Sequence, residues 1–111
     1  MLKVKEVEDK TSLLGVNMQE LLLLIEMDKD YSKGYDCPMF IDSNMLYNKI
    51  KESKIRPNHW VSYKGGLKQD FTNNKITLKL FTWGNGDAKE YTINQDVFMK
   101  HFYGYIKVKV L

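Results

Sequence analysis

Residues 76–83 read Ile76-Thr77-Leu78-Lys79-Leu80-Phe81-Thr82-Trp83, and the turn Gly84-Asn85-Gly86-Asp87 separates them from a second extended run, Ala88 to Ile93. Side chains in the first run alternate, with Ile76, Leu78 and Leu80 on one face and Lys79, Phe81 and Trp83 on the other, the period of a strand. Two extended runs joined by a short glycine-and-asparagine turn predict a β-hairpin, so an antiparallel sheet organises the chain. Beyond the hairpin, a short helix over about Gln95 to Phe102 leads into another alternating strand, Tyr105-Ile106-Lys107-Val108-Lys109-Val110. Ahead of it lies a loop rich in Asn and Lys, and before that His59-Trp60-Val61-Ser62-Tyr63, a strand entered through Pro57-Asn58 and closed at Gly65-Gly66.

The first half supplies the helix that such a sheet needs. Asn17 caps a helix with Glu20 three residues later, the arrangement of a capping box. It runs through Leu21-Leu22-Leu23-Leu24-Ile25 towards Lys33 and stops at Gly34. Residues 18, 21, 22 and 25 form one apolar stripe, which Leu23 and Leu24 widen, so this helix is deeply buried or touches a partner. Cys37-Pro38-Met39-Phe40-Ile41 reads as a short buried strand with Pro38 at its start or on an edge. Ser43 then caps a helix bearing Met45, Leu46 and Ile50 and ending near Lys54. The order predicts a single α+β domain over residues 1–111, with a mostly antiparallel sheet of about five strands packed on the leucine-rich helix.

Composition narrows the class. The 111 residues are 43% hydrophobic and 28% charged, in the globular range and close to the modal domain size. No apolar run approaches the roughly 20 residues that cross a bilayer, and the charged start lacks the apolar core of a secretion signal. The single cysteine, Cys37, excludes an internal disulfide. A reducing compartment fits best, so the expectation is a cytoplasmic protein, or one secreted without a cleavable signal. Residues 1–42 carry nine acidic and five basic side chains, a balance of −4, and residues 43–111 carry five and twelve, a balance of +7. Such asymmetry suits nucleic acid or an acidic partner, but one arginine among seventeen cations argues for solvated lysines on strand faces.

Three stretches carry a family resemblance. His59-Trp60-Val61 resembles the strand that bears the catalytic histidine in papain-like cysteine peptidases. Phe81-Thr82-Trp83-Gly84 is similar to the later strand of papain-type enzymes that ends in Asn-Ser-Trp-Gly. Asp96-Val97-Phe98-Met99 followed by Tyr103-Gly104-Tyr105, and Ile41-Asp42-Ser43-Asn44-Met45-Leu46 ahead of the histidine strand, resemble papain-like domains of bacterial effector and toxin proteins. The resemblance covers residues 38–110 and rests on the order and spacing of short motifs. It implies the histidine-bearing half of a papain-like domain, with His59 as general base.

A histidine in that role holds the proton of a thiol so that a thiolate attacks, and a polar third group orients the ring. The chain departs from the pattern at both partners. Phe81 stands where the family has its orienting asparagine, leaving Asn85 or Asp87 in the turn as the nearest polar groups. The helix from Asn17 lacks the family's opening cysteine, and Thr11 and Ser12 are the nearby hydroxyls. Cys37 is the other candidate nucleophile, since Asp36-Cys37-Pro38-Met39-Phe40 is similar to the Asp-Cys-Ser-Gly opening of NlpC-type cell-wall peptidases. Those have a helix straight after the cysteine and a longer gap to histidine. If Cys37 and His59 each open neighbouring parallel strands joined by the helix 43–54, they meet at one end of the sheet. Otherwise Cys37 is inert packing.

The resulting expectation is a truncated or degenerate papain-like domain of an effector or toxin system that acts by binding a protein partner or itself. The alternatives are an active Cys37–His59 thiol hydrolase and a non-enzymatic module binding nucleic acid or protein. Candidate surface residues are Leu23, Leu24, Trp60, Phe81, Trp83 and Tyr105. If Lys79, Phe81 and Trp83 shared an exposed face with Tyr105, Lys107 and Lys109, they would resemble a platform for stacking single-stranded bases. The competing reading covers those aromatics with the leucine-rich helix. His101 is read as answering its helix dipole. The histidines and cysteine have no zinc-site spacing, and neither glycine turn opens a phosphate-binding helix, so no cofactor is implied.

Overall fold

The alternation over 76–82 is realised as a strand, Lys75–Thr82, in which Ile76, Leu78, Leu80 and Thr82 are buried while Lys75 and Lys79 are exposed. The computed structural model describes residues 4–11, 19–51, 59–82 and 86–110. In chain order the elements are β1 (Val4–Thr11), α1 (Gln19–Ser32), β2 (Pro38–Ile41), a 3-10 helix (Ser43–Tyr47), β3 (His59–Tyr63), β4 (Lys68–Asp70), β5 (Lys75–Thr82), β6 (Lys89–Asn94), α2 (Gln95–His101) and β7 (Phe102–Val110). The fold is α+β.

All strand pairs are antiparallel, in the order β1-β7-β2-β3-β5-β4, with β6 also on β5. β5 is the hub. Its residues 80–82 pair with β3 and 75–77 with β4, while β6 runs along its other edge. Lys64 N–H donates to Lys79 O and Lys79 N–H to Gly65 O, so β3 and β4 behave as one strand bent at Gly65-Gly66. Gly65 holds φ +81°, and a Cβ there would lie 3.0 Å from the Tyr31 ring of α1. Only glycine suits both the backbone conformation and that close approach.

One face of the sheet carries the core. Leu21, Leu24 and Met27 of α1 are buried among Met39, Ile41, Val61, Tyr63, Leu78, Leu80 and Tyr105. Val97 and Phe98 of α2 join the same cluster. The last turns of α1 are fixed by hydrogen bonds as well as packing: the Tyr63 hydroxyl donates to Asp28 (2.6 Å) and the Tyr105 hydroxyl to Asp30 (2.7 Å). Gly34, at φ +96°, ends the helix as expected.

Several expectations are corrected. The charged segment Val4–Thr11, assigned no element, is an edge strand on β7. With it, the sheet has seven strands among the described residues. The helix expected over 43–54 is a 3-10 helix of five residues. It is capped by Asp42 rather than Ser43, Asp42 Oδ1 accepting from Asn44 N–H at 2.9 Å, and Asn48 ends it in the left-handed region at φ 53°. Residues 52–54 and the Asn17 cap lie outside the described residues. β4 was not foreseen, and β7 starts at Phe102, directly after α2, rather than at Tyr105.

Candidate functional site

His59 opens β3 and is half-buried. By strand alternation it shares a face with Val61 and Tyr63, both buried, so it lies on the helix-bearing side of the sheet. Its partner across β2 is Ile41. In β5, Thr82 pairs with Val61 and Phe81 with Ser62. Thr82 therefore shares the face of His59, whereas Phe81 is on the opposite face and cannot orient its ring. Thr82 is buried and was not singled out from the sequence, although the alternation of Ile76, Leu78 and Leu80 already pointed it to this side. Asp87 is an exposed turn residue, and Asn85 lies outside the described residues.

Cys37 is at the wrong end of the sheet for His59. β2 and β3 are antiparallel, with Ile41 opposite His59 and Pro38 opposite Ser62. Tyr63 N–H donates to Cys37 O at 3.1 Å, which sets Cys37 level with the far end of β3. Four strand positions, about 13 Å, separate that level from His59. The expectation of parallel neighbouring strands fails because β2 and β3 pair directly and antiparallel, Pro38 with Ser62 and Ile41 with His59. The thiol is 1% exposed, with Sγ 3.8 Å from Met27 O and 3.9 Å from Tyr35 O. Burial, helped by the charges of Asp30 and Asp36, pushes it up to about 12. A group so placed supplies neither a thiolate near neutral pH nor a dyad with His59.

The candidate surface residues divide. Leu24 and Tyr105 are fully buried and present nothing to a partner, because Leu24 points into the sheet and Tyr105 lies under α1. Leu23 is half-buried against the core, and the apolar residues that α1 exposes are Leu22 and Ile25. Trp60 is 42% exposed, and its ring centroid lies 3.7 Å from that of Phe40. Both belong to the sheet face away from the helices, as does the half-buried Phe81. Trp83 lies outside the described residues.

The platform of aromatics and lysines does not form. Met39 pairs with both Tyr105 and Val61, and Val61 with Thr82, so Tyr105 shares the face of Thr82 and not that of Phe81. Lys107 and Lys109 stand over the Tyr35 ring, at 4.7 and 5.3 Å, on the helix side.

A buried polar pair escaped the sequence reading. His101, 1% exposed, ends α2, and Asp42, 0% exposed, follows β2. His101 Nδ1 and Asp42 Oδ2 are 3.7 Å apart. Lys51 N–H donates to His101 Nε2 at 3.2 Å, and Asp42 N–H to His101 O at 2.9 Å. His101 does stand in the last turn of α2, where it was read as answering the helix dipole, but it is buried there and its ring accepts from the segment after the 3-10 helix. Among the described residues, no group of three or more His, Cys, Asp and Glu side chains is arranged to hold a metal ion, and no helix is long and apolar enough to cross a membrane. Comparison with protein-family models, with curated proteins and with solved structures finds no match for the chain.

Proposed function

We propose that this chain is a papain-like domain of a bacterial effector or toxin system that acts by binding a protein partner through the helix-free face of its sheet. The observation that carries the binding surface is Trp60, 42% exposed with its ring against Phe40, on a face where neither α1 nor α2 packs. Phe81, Ile106 and Val108 lie half-buried on that face, and Gly104, opposite Phe40, adds no side chain to cover it. Large aromatics in an uncovered apolar patch are the usual anchors of protein interfaces.

Two features support the papain-like frame. A leucine-rich helix lies on one face of an antiparallel sheet, and a histidine opens a strand on that same face with Thr82 at the end of the neighbouring strand. The Tyr63–Asp28 hydrogen bond gives a common reference point. From it, α1 runs back about 13 Å to Gln19, and β3 runs back about 13 Å to His59. The burial and remoteness of Cys37 argue against a Cys37–His59 thiol hydrolase and favour the binding reading over it.

The test compares the wild-type chain with Trp60→Ala and with Phe40→Ala/Trp60→Ala, each immobilised and exposed to proteins of its native host. A protein retained by the wild type and lost with both variants, while their folding is intact, supports the reading. Equal retention by all three sinks it. Binding to a single-stranded oligonucleotide that weakens steeply with salt would transfer the surface to nucleic acid instead.

A further inference from the structure

We propose that His101 and Asp42 form an acid-operated latch that holds the segment Lys49–Lys51 against the end of α2 and lets it go when His101 takes up a second ring proton. Because Nε2 accepts from Lys51 N–H, the single proton of the neutral ring sits on Nδ1, facing Asp42 Oδ2. Asp42 works on both sides of the latch. Its Oδ1 accepts from the backbone and side-chain amides of Asn44, at 2.9 and 2.8 Å, and Asn44 Nδ2 donates to Lys51 O at 3.2 Å. The Lys51 residue is thus gripped at its N–H by His101 and at its C=O by Asn44. At the other end of the segment, Asn48 Oδ1 accepts from Asn94 N–H at 2.8 Å, which fixes the hinge.

A second proton can only go to Nε2. That places one N–H donor against another across 3.2 Å, so the Lys51 bond is lost. The imidazolium stays, because Asp42 beside it is a ready counter-ion. Histidine is the side chain whose ordinary titration, near pH ~6.5, falls in the physiological range. The other charged groups of the segment and of the elements packed against α2 are Lys49 and Lys51, Asp96 and Lys100 of α2 itself, Lys89 and Glu90 of β6, Lys75 and Lys79 of β5, and Glu26, Asp28, Lys29 and Asp30 of α1. Asp42 is the carboxylate set beside the ring, 3.7 Å from Nδ1. Tyr47 of the 3-10 helix is exposed, and Tyr103 at the start of β7 is half-buried.

The experiment is an NMR titration of the full chain from pH 7.5 to 5. It follows the His101 ring carbon shift and the hydrogen-exchange protection of the Lys51 amide, corrected for intrinsic exchange. Lys51 protection should fall at least tenfold with the midpoint of the ring titration, while the Val61 amide in β3 keeps its protection. Three results would overturn the latch: protection unchanged through the midpoint, a ring that stays neutral until the protein unfolds, or simultaneous loss at Lys51 and Val61. His101→Gln supplies an acceptor oxygen that does not titrate, and should keep Lys51 protected at pH 5. If that variant does not fold, the wild-type titration decides alone.

Discussion

Replacing Tyr105 by Phe removes one oxygen and almost no volume, so it isolates the tie between β7 and α1. The ring is 0% exposed and its hydroxyl donates to Asp30 Oδ2 at 2.7 Å. Asp30 is 6% exposed, and Lys107 Nζ stands 4.0 Å from its other oxygen. In the variant that carboxylate stays buried and charged with its phenol donor gone. A hydrogen bond to a charged group contributes about 1.5–3 kcal/mol, and no cavity term is added because the ring remains. The expected loss is about 2 kcal/mol, or roughly 8–12 °C in Tm for a domain of this size. Urea unfolding followed by circular dichroism should show a lower midpoint with an unchanged slope. A double-mutant cycle with Asp30→Asn should return a coupling above about 1 kcal/mol. A loss below about 0.5 kcal/mol, or additive effects of the two substitutions, would refute the claim that this bond fixes the helix.

Other consequences follow from burial and backbone geometry. Cys37 should react slowly with iodoacetamide between pH 6 and 8, at a rate unchanged by His59→Ala; a fast, His59-dependent reaction would contradict the strand register. Because the folded thiol is raised from 9.0 to about 12, the stability gained by keeping it protonated is complete below pH 9. It is lost as pH climbs towards 12, a decline that Cys37→Ala should flatten in alkaline melts. Gly65→Ala, at φ +81° with Tyr31 3.0 Å from the new Cβ, should cost about 1–3 kcal/mol in chemical denaturation. Leu24→Ala should cost about 2–5 kcal/mol and Leu22→Ala less than about 0.5, since Leu24 is 0% and Leu22 64% exposed; similar losses would mean the buried face of α1 is misassigned.

Much of the architecture was legible because it rests on short-range signals. The alternation of Ile76, Leu78 and Leu80 identified β5, and Gly34 marked the end of α1. The reading that laid the leucine-rich helix over the Phe81 face is reversed, since α1 packs with Leu78 and Leu80. What sequence could not supply was pairing. Whether β2 and β3 run parallel or antiparallel decides if Cys37 meets His59, and neither segment carries that choice locally. The face of Tyr105 depends likewise on its register against Met39, beside an irregularity at Phe40/Ile41. β1 was missed because its charges suit an edge strand, whose stability comes from β7 and not from an apolar pattern of its own. Asp42 and His101 are far apart in sequence, and only tertiary packing brings them together. In α1 the burial of Leu21, Leu24 and Met27 follows helical spacing, but four consecutive leucines concealed which of them turned outward.

The ladder between β1 and β7 joins residue 4 to residue 110, whereas the strands from His59 to Asn94 meet their neighbours within a short stretch of chain. Closing a loop costs entropy that rises with its length, and long-range pairings are slow to form. The hairpins around β5 therefore have the shortest search, and the join between the two end strands the longest. Until β1 docks, one edge of β7 offers unpaired backbone groups to any passing strand. Once β1 has paired over Val4–Thr11, that edge of β7 is closed and β1 itself becomes the border of the sheet.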